Sequence, residues 1–114
     1  MKIELAKKEI IHFIGIGGIG MSGLALIMKA KGFQIQGSDI NKNKNIEKLK
    51  KQGVRIFIGH KKQNIKDVTI VVTSSAIKKS NPELLEAKRK KLPVIKRGKM
   101  LANLVSYMKN IVVV

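Results

Sequence analysis

The chain has 114 residues, of which 44% are hydrophobic, and its 24 Lys and Arg against 7 Asp and Glu give a formal net charge of +17. This length fits one compact domain, and the apolar share excludes a disordered polybasic tail. The absence of cysteine excludes disulfide scaffolds, thiolate nucleophiles and cysteine-ligated zinc sites. No apolar stretch is long enough for a signal peptide or a membrane span, so we expect a cytoplasmic protein with no membrane partner.

The basic excess raises the alternative of nucleic-acid binding, because clustered lysines and arginines bind phosphate backbones. Only three of the basic residues are arginines, and the lysines fall in separate segments of the chain. Aromatic residues make up 4% of the chain, which leaves few rings for stacking against bases. We therefore expect a solvated lysine surface and no nucleic-acid partner.

Apolar runs alternate with helical patterns along the whole chain. Strands are predicted at residues 10–15, 33–39, 54–58, 68–73 and 92–95. Helices are predicted after the first, second, fourth and fifth of these strands, the second at 41–51 and the last at 99–109. This alternation is typical of right-handed βαβ units, so we expect an α/β, Rossmann-like, doubly wound parallel sheet of about five strands in the order 3-2-1-4-5, with helices on both faces.

Residues 1–109 are thus predicted to form one Rossmann-like domain, and residues 110–114 the beginning of a further strand. The helix after the fourth strand has a clear start, because Asn81 is a good cap, Pro82 suits the first turn and Glu83 complements the helix dipole. In the predicted order the sheet reverses between strands 1 and 4. Ligands of such sheets bind at the carboxyl ends of the strands at this point, where loops 15–20 and 73–77 meet.

The first of these loops, Gly15-Ile-Gly17-Gly18-Ile-Gly20, matches the G-x-G-x-x-G pattern between a strand and a helix. Its glycines let the backbone approach a diphosphate, and the first helical turn supplies amide donors. Two alternatives remain open: a tight turn without a ligand, and a nicotinamide-dinucleotide domain with Asp39 on a ribose. Met21 stands where a P-loop requires lysine, which argues against nucleoside-triphosphate hydrolysis at this loop.

Several longer strings occur in an order and spacing that resemble one enzyme family, the Mur ligases, and within it the amino-terminal domain of the UDP-N-acetylmuramate–L-alanine ligases of peptidoglycan synthesis. The strings span His12–Ala25, Gly37–Asp39, Gly59–His60, Val72–Ile77, Asn81–Glu83, Pro93–Arg97 and Met100–Ala102. The resemblance implies that the chain binds UDP-N-acetylmuramic acid. The nearest relative within the family is the ligase that reattaches a recycled tripeptide, which stays an alternative beside an NAD(P)-binding oxidoreductase domain.

In the family, a central domain binds ATP and magnesium, and a carboxy-terminal domain helps to bind the amino acid. The family's P-loop follows a strand like residues 110–114, where this sequence ends. We therefore expect a domain that holds no cofactor or metal, has no catalytic residue of its own and is inactive alone. ATP and L-alanine would then be partners only through the other domains.

The resemblance also implies a set of substrate-binding residues. It places the diphosphate on the backbone of Gly17 to Gly20, and the substrate-binding residues of this loop are Ile16, Gly17, Gly18, Ile19, Gly20 and Met21. It places Ser38 and Asp39 near the nucleoside, His60 at the uridine end, and Ser74, Ser75, Ala76 and Ile77 on the sugar side.

Plainer roles are open for several of these residues. Asp39 can cap a turn, His60 can be an exposed loop residue, and the serines can satisfy backbone groups where strand 4 ends. His12 is expected in the core, and Arg97 either reaches an anionic group or lies on the surface.

Overall fold

A computed structural model describes residues 5–111 as a five-stranded parallel sheet flanked by helices. The strands are β1 (Ile10–Ile14), β2 (Gln34–Asp39), β3 (Arg55–Ile58), β4 (Ile70–Thr73) and β5 (Val94–Lys96). The helices are α1 (Ile19–Ala30), α2 (Lys44–Lys51), α3 (Pro82–Arg89) and α4 (Arg97–Ile111), with one turn of 3₁₀-helix at Lys62–Ile65. The strand order is β3-β2-β1-β4-β5, which confirms the predicted doubly wound sheet.

The two faces of the sheet carry separate hydrophobic clusters, because side chains alternate along each strand. Ile11 and Phe13 of β1 point to the face covered by α1, α2 and α4. Ile14 of β1 and Val71 of β4 point to the other face, where they pack with Leu84 of α3. The sheet is therefore buried on both faces, as the continuous apolar runs of β1 and β4 predict.

The predicted helix boundaries need correction at two places. Helix α2 begins at Lys44, three residues later than predicted, because the side chain of Asn43 accepts from the amide of Ile46 and caps the helix there. Helix α4 extends from Arg97 to Ile111, so the first two residues of the predicted strand 110–114 are helical. No Gly or Pro follows Lys109 to end the helix. Residues 112–114 lie outside the described part of the chain.

The start of α3 is as predicted from its sequence. The Asn81 side chain accepts from the amides of Glu83, at 2.9 Å, and Leu84, at 3.2 Å, and Pro82 occupies the first turn. Among residues 5–111, no helix has the length and apolar character needed to cross a membrane.

Candidate functional site

The glycine loop between β1 and α1 is folded tightly against the end of β2. The amides of Gly15 and Ile16 both donate to the carbonyl oxygen of Ser38, at 2.8 and 3.0 Å, and the amide of Gly18 donates to the carbonyl of Gly15 at 3.1 Å. Gly15 has a φ of +78°, a conformation that side chains disfavour. The loop therefore has one defined shape, in which Ile16 is fully buried in the core.

Asp39 holds this loop through its side chain. Its Oδ2 accepts from the amide of Gly17 at 2.8 Å, and its Oδ1 accepts from the amide of Ile40 at 2.8 Å. The turn-capping role expected as an alternative is thus present. An ionised carboxylate has about four acceptor positions, so a ribose hydroxyl can still donate to Asp39.

The first turn of α1 presents its backbone amides at the carboxyl edge of the sheet. Helix geometry leaves the amides of Ile19, Gly20 and Met21 without acceptors inside the helix. The cap residue Gly18 has no side chain to satisfy them, and the turn contains no acidic residue. The side chain of Ile19 is 89% exposed, whereas that of Met21 is buried in the core. This arrangement suits an anion bound by backbone amides.

Arg97 lies directly against this helical turn, although the predicted diphosphate loop did not include it. A Cβ atom added to Gly20 would lie 2.9 Å from both Cδ and Nε of Arg97. Arg97 is exposed and forms no ion pair with any residue between 5 and 111. Its place directly after β5, at the same edge as the glycine loop, is the signal that could have identified it from the sequence.

The loop after β4 lies beside the glycine loop, as the strand order requires. The Cδ1 atom of Ile77 lies 3.1 Å from the position that a Cβ on Gly15 would take. Ser75 and Ala76 are exposed, and Ser74 is half-buried. A cleft of about 470 Å³ opens along this loop toward β5. Its lining includes Ser74, Ser75, Ile77 and the lysines 78, 79, 88 and 96.

Ser38 and His60 lie on the opposite face of the sheet from Asp39, in a buried polar network. The hydroxyl of Ser38 donates to Oε1 of Glu83 at 2.6 Å and contacts Nδ1 of His60 at 2.8 Å. His12 contacts the same oxygen of Glu83 through Nε2 at 2.7 Å. The Ser38 side chain is fully buried, so only its backbone reaches the glycine loop.

Glu83 is the centre of this network, and its carboxylate is fully buried. Its Oε2 accepts from the backbone amide of Lys61 at 3.1 Å and from Nδ2 of Asn64 at 2.7 Å. Burial raises the pKa of Glu83, but the hydrogen bond and the electrostatic attraction of His12, together with hydrogen bonds from Ser38 and Asn64, outweigh it and hold the pKa below the ordinary 4.5. Glu83 is therefore an ionised group that joins α3, β1, β2 and the loop after β3.

From the sequence, Glu83 is expected only to complement the helix dipole, and no role is predicted for Asn64 or Gln36. The signal was His12, a polar side chain inside an apolar strand, because a buried imidazole requires hydrogen-bond partners. Within residues 5–111, no group of three or more His, Asp and Glu side chains is arranged to hold a metal ion.

The family model described as "Mur ligase family, catalytic domain" matches residues 10–109. The chain belongs to the Mur ligase family. It is 71% identical over 113 residues to the UDP-N-acetylmuramate–L-alanine ligase of Pelagibacter ubique strain HTCC1062, covering 99% of this chain and 24% of that protein. It is 57% identical over 93 residues to the ligase of the same name from Aquifex aeolicus strain VF5, covering 82% and 20%.

Solved structures of Mur ligases have the same fold. The crystal structure of the UDP-N-acetylmuramate–alanine ligase MurC from Thermotoga maritima matches with a TM-score of 0.81 and 34% identity, over 86% of this chain and 23% of that chain. A structure from Neisseria meningitides, named UDP-N-acetylmuramate:L-alanyl-γ-D-glutamyl-meso-diaminopimelate ligase, matches with a TM-score of 0.76 and 27% identity, over 82% and 30%. The chain spans about a fifth to a quarter of the length of the curated relatives described above.

Proposed function

We propose that this Mur ligase domain binds the UDP part of UDP-N-acetylmuramic acid, and that it serves a ligase that joins L-alanine to this nucleotide sugar. The observation that carries the proposal is the first turn of α1, whose backbone amides lack a side-chain cap while Arg97 lies against them. The relatives whose names specify this substrate and this amino acid support the same conclusion.

The diphosphate would bind at the turn that begins with Ile19. Amides at a helix N-terminus and the helix dipole favour a negative charge, and the guanidinium of Arg97 adds a full positive charge with a fork of donors. Gly18 leaves the approach to these amides open, because it has no side chain. The helix amides and Arg97 would therefore offset the negative charge of the two phosphates, although the loop contains no lysine.

The remaining parts of the nucleotide sugar would occupy the two sides of this loop. Toward β2 and β3, Asp39 and His60 offer acceptors and donors for a nucleoside. Toward β5, the cleft of about 470 Å³ lined by Ser74, Ser75 and Ile77 has room for a sugar. The four lysines that line the same cleft would favour the carboxylate of a muramyl group.

ATP and magnesium, which the family uses, do not fit the described residues. Met21 replaces the lysine that a P-loop needs for a nucleoside triphosphate, and residues 5–111 have no cluster of carboxylates suited to a metal. We therefore derive no phosphorylation step from these residues. We assign ATP binding and L-alanine addition to the parts of the relatives that this chain does not span, and a cytoplasmic location is part of the same proposal.

A second candidate is the ligase for a recycled tripeptide, because the Neisseria structure named for that peptide has a TM-score of 0.76 to this chain. Its printed name begins with the same UDP-N-acetylmuramate, so both candidates use the proposed nucleotide-sugar site. They differ in the amine that is joined. Comparing L-alanine with the tripeptide in a longer chain that contains this domain would separate them.

The experiment that tests the binding proposal is calorimetric titration of the chain with UDP-N-acetylmuramic acid at physiological salt. UDP, NAD, NADP and a short DNA duplex are titrated in parallel. We expect heat from UDP-N-acetylmuramic acid and UDP and none from the other three ligands. Preference for a dinucleotide would identify an oxidoreductase module instead, and steeply salt-dependent DNA binding would indicate a nucleic-acid function.

A further inference from the structure

The network around Glu83 determines where its protons lie. An ionised carboxylate only accepts hydrogen bonds, so the 2.6 Å contact between Ser38 and Glu83 uses the single proton of the Ser38 hydroxyl. The oxygen of Ser38 then has only lone pairs for His60, whose Nδ1 lies 2.8 Å away. It follows that Nδ1 of His60 carries a proton and donates to Ser38.

In His12 the hydrogen-bond partners place the proton on the other ring nitrogen, Nε2. The side-chain amide of Gln36 has only one possible orientation, because the atom that lies 2.8 Å from the backbone carbonyl oxygen of Asn64 must be a donor and hence the nitrogen Nε2. That nitrogen also lies 2.8 Å from Nδ1 of His12, which must therefore be the acceptor. His12 thus directs an N–H on Nε2 at Glu83, at 2.7 Å.

The second nitrogen of His60 remains available for a ligand. The His60 side chain is 14% exposed, and within residues 5–111 its Nε2 has no hydrogen-bond partner. His60 lies directly after β3, at the carboxyl edge of the sheet where the glycine loop also lies. In neutral His60, with Nδ1 protonated, Nε2 is an acceptor directed by a rigid and buried support.

We propose that Glu83 is a positioning residue that acts on His60 through the hydroxyl of Ser38. It holds the His60 proton on Nδ1, so that the bare Nε2 is turned toward the bound nucleoside as a hydrogen-bond acceptor. The support is fully buried, since Glu83 and Ser38 are both inaccessible to solvent. Four donors surround the Glu83 carboxylate, which leaves it no freedom to rotate away from Ser38. The nucleoside half of this inference rests on the proposed function.

A bare Nε2 recognises a donor and rejects an acceptor at the same position. In a uridine nucleotide, the available donors are the imide N3–H of the base and the two ribose hydroxyls. The imide N3–H can only donate, whereas a ribose hydroxyl can also accept. The tautomer set by Glu83 is therefore a specificity device toward the base, because the opposite tautomer would place an N–H against N3–H. This role differs from mere stabilisation of the fold, and it makes a spectroscopic prediction in the absence of any ligand.

The first test measures the imidazole ¹⁵N shifts of the ligand-free chain by long-range ¹H–¹⁵N correlation at neutral pH. We expect His60 to show a protonated Nδ1 and a bare Nε2, and His12 to show the reverse pattern. The Ser38→Ala variant removes the hydrogen-bonded acceptor of Nδ1 and leaves Oε1 of Glu83, at 3.7 Å, beyond hydrogen-bond distance. Glu83 keeps three donors, so the variant should fold. In this variant we expect His60 to lose its single tautomer. A wild-type His60 protonated on Nε2 alone would overturn the proposal.

The second test compares nucleotide binding in wild type, Ser38→Ala and the matched control Ser106→Ala. Ser106 lies on α4, away from the network. The probes are UDP, 2′,3′-dideoxyuridine diphosphate, which lacks both ribose hydroxyls, and cytidine diphosphate, whose N3 has no proton. We expect wild type and Ser106→Ala to bind UDP about tenfold more tightly than one of the two analogues. Ser38→Ala should lose that preference.

The two tests separate the proposal from the proposed function. Equal discrimination by wild type and Ser38→Ala, or none by wild type, would overturn the acceptor role of His60 while leaving UDP binding intact. If the predicted tautomers are present but no uridine nucleotide binds, then the proposed function fails, and the nucleoside half of this inference fails with it.

Discussion

Gly17 and Gly18 are adjacent in the glycine loop, yet the structure requires glycine at only one of them for folding. A Cβ on Gly17 would lie 2.8 Å from Oδ2 of Asp39 and 3.1 Å from Cδ1 of Ile46. A Cβ on Gly18 would meet no atom closer than 3.5 Å, and its φ of −63° suits any residue. Gly17 is therefore needed for the fold, whereas Gly18 is free to serve a ligand.

This difference makes Gly18→Val an informative variant. We expect it to fold like wild type and to bind UDP at least tenfold more weakly, because its side chain would occupy the approach to the first turn of α1. Calorimetry with UDP measures the effect. The matched control is Gly23→Val on the exposed side of α1, where an added Cβ meets no atom within 4 Å. Full UDP affinity in a folded Gly18→Val protein would refute the diphosphate assignment.

Arg97 provides a second prediction at the level of single residues. Replacing it with Met keeps much of the side-chain length and removes the charge beside Gly20. We expect UDP affinity to fall about tenfold, since hydrogen bonds to charged groups contribute more than neutral ones. The control is Lys99→Met, another exposed cation of α4. If both variants lose the same affinity, the effect comes from net charge rather than from a contact with Arg97.

Among the elements, α3 connects the sheet to the network, because Glu83 lies in its first turn. The cap residue Asn81 holds the amide of Glu83 directly. We expect Asn81→Ala to lower the free energy of unfolding by about 1 kcal/mol, the usual cost of a lost cap. Urea denaturation measures this change, with the exposed Asn41→Ala as the control. An unchanged free energy in Asn81→Ala would show that the cap contributes nothing to stability.

Strands and helices with a clear hydrophobic pattern were predicted correctly, but the boundaries of α2 and α4 were not. The five strands and their order follow from apolar runs separated by helical patterns, and all are confirmed. The ends of α2 and α4 differ from the prediction, because a side-chain cap at Asn43 and the continuation past Lys109 depend on local geometry. The polar connection after β3 contains a short 3₁₀ turn that its composition did not indicate.

At the scale of the whole molecule, the buried carboxylate of Glu83 makes stability depend on pH. Its pKa in the folded state is below the ordinary value of 4.5, so the unfolded chain binds a proton more readily than the folded one. This contribution is fully present above pH 4.5 and is lost as the pH falls through the lower pKa of the folded state. We expect the free energy of unfolding to decrease with acidification below pH 4.5.

The variant Glu83→Gln tests this dependence. At pH 7 it should lower the free energy of unfolding by about 1–3 kcal/mol, because the amide leaves buried donors without an acceptor. Below pH 4.5 its curve should be flatter than that of wild type. Urea denaturation at constant ionic strength measures both, with Glu47→Gln as an exposed control. A parallel pH dependence in wild type and Glu83→Gln would show that other groups cause the loss.

The sequence by itself determined the sheet order, the glycine loop and the family, because periodicity, turn residues and motif spacing are local properties of the chain. Only the tertiary structure brought Arg97 against Gly20, and Glu83 against His12 and Ser38. These residues are separated by 45 to 77 positions, and their contacts depend on strand register and on the angle at which α3 and α4 meet the sheet. Such distances are set by packing of the whole core, which no local pattern records.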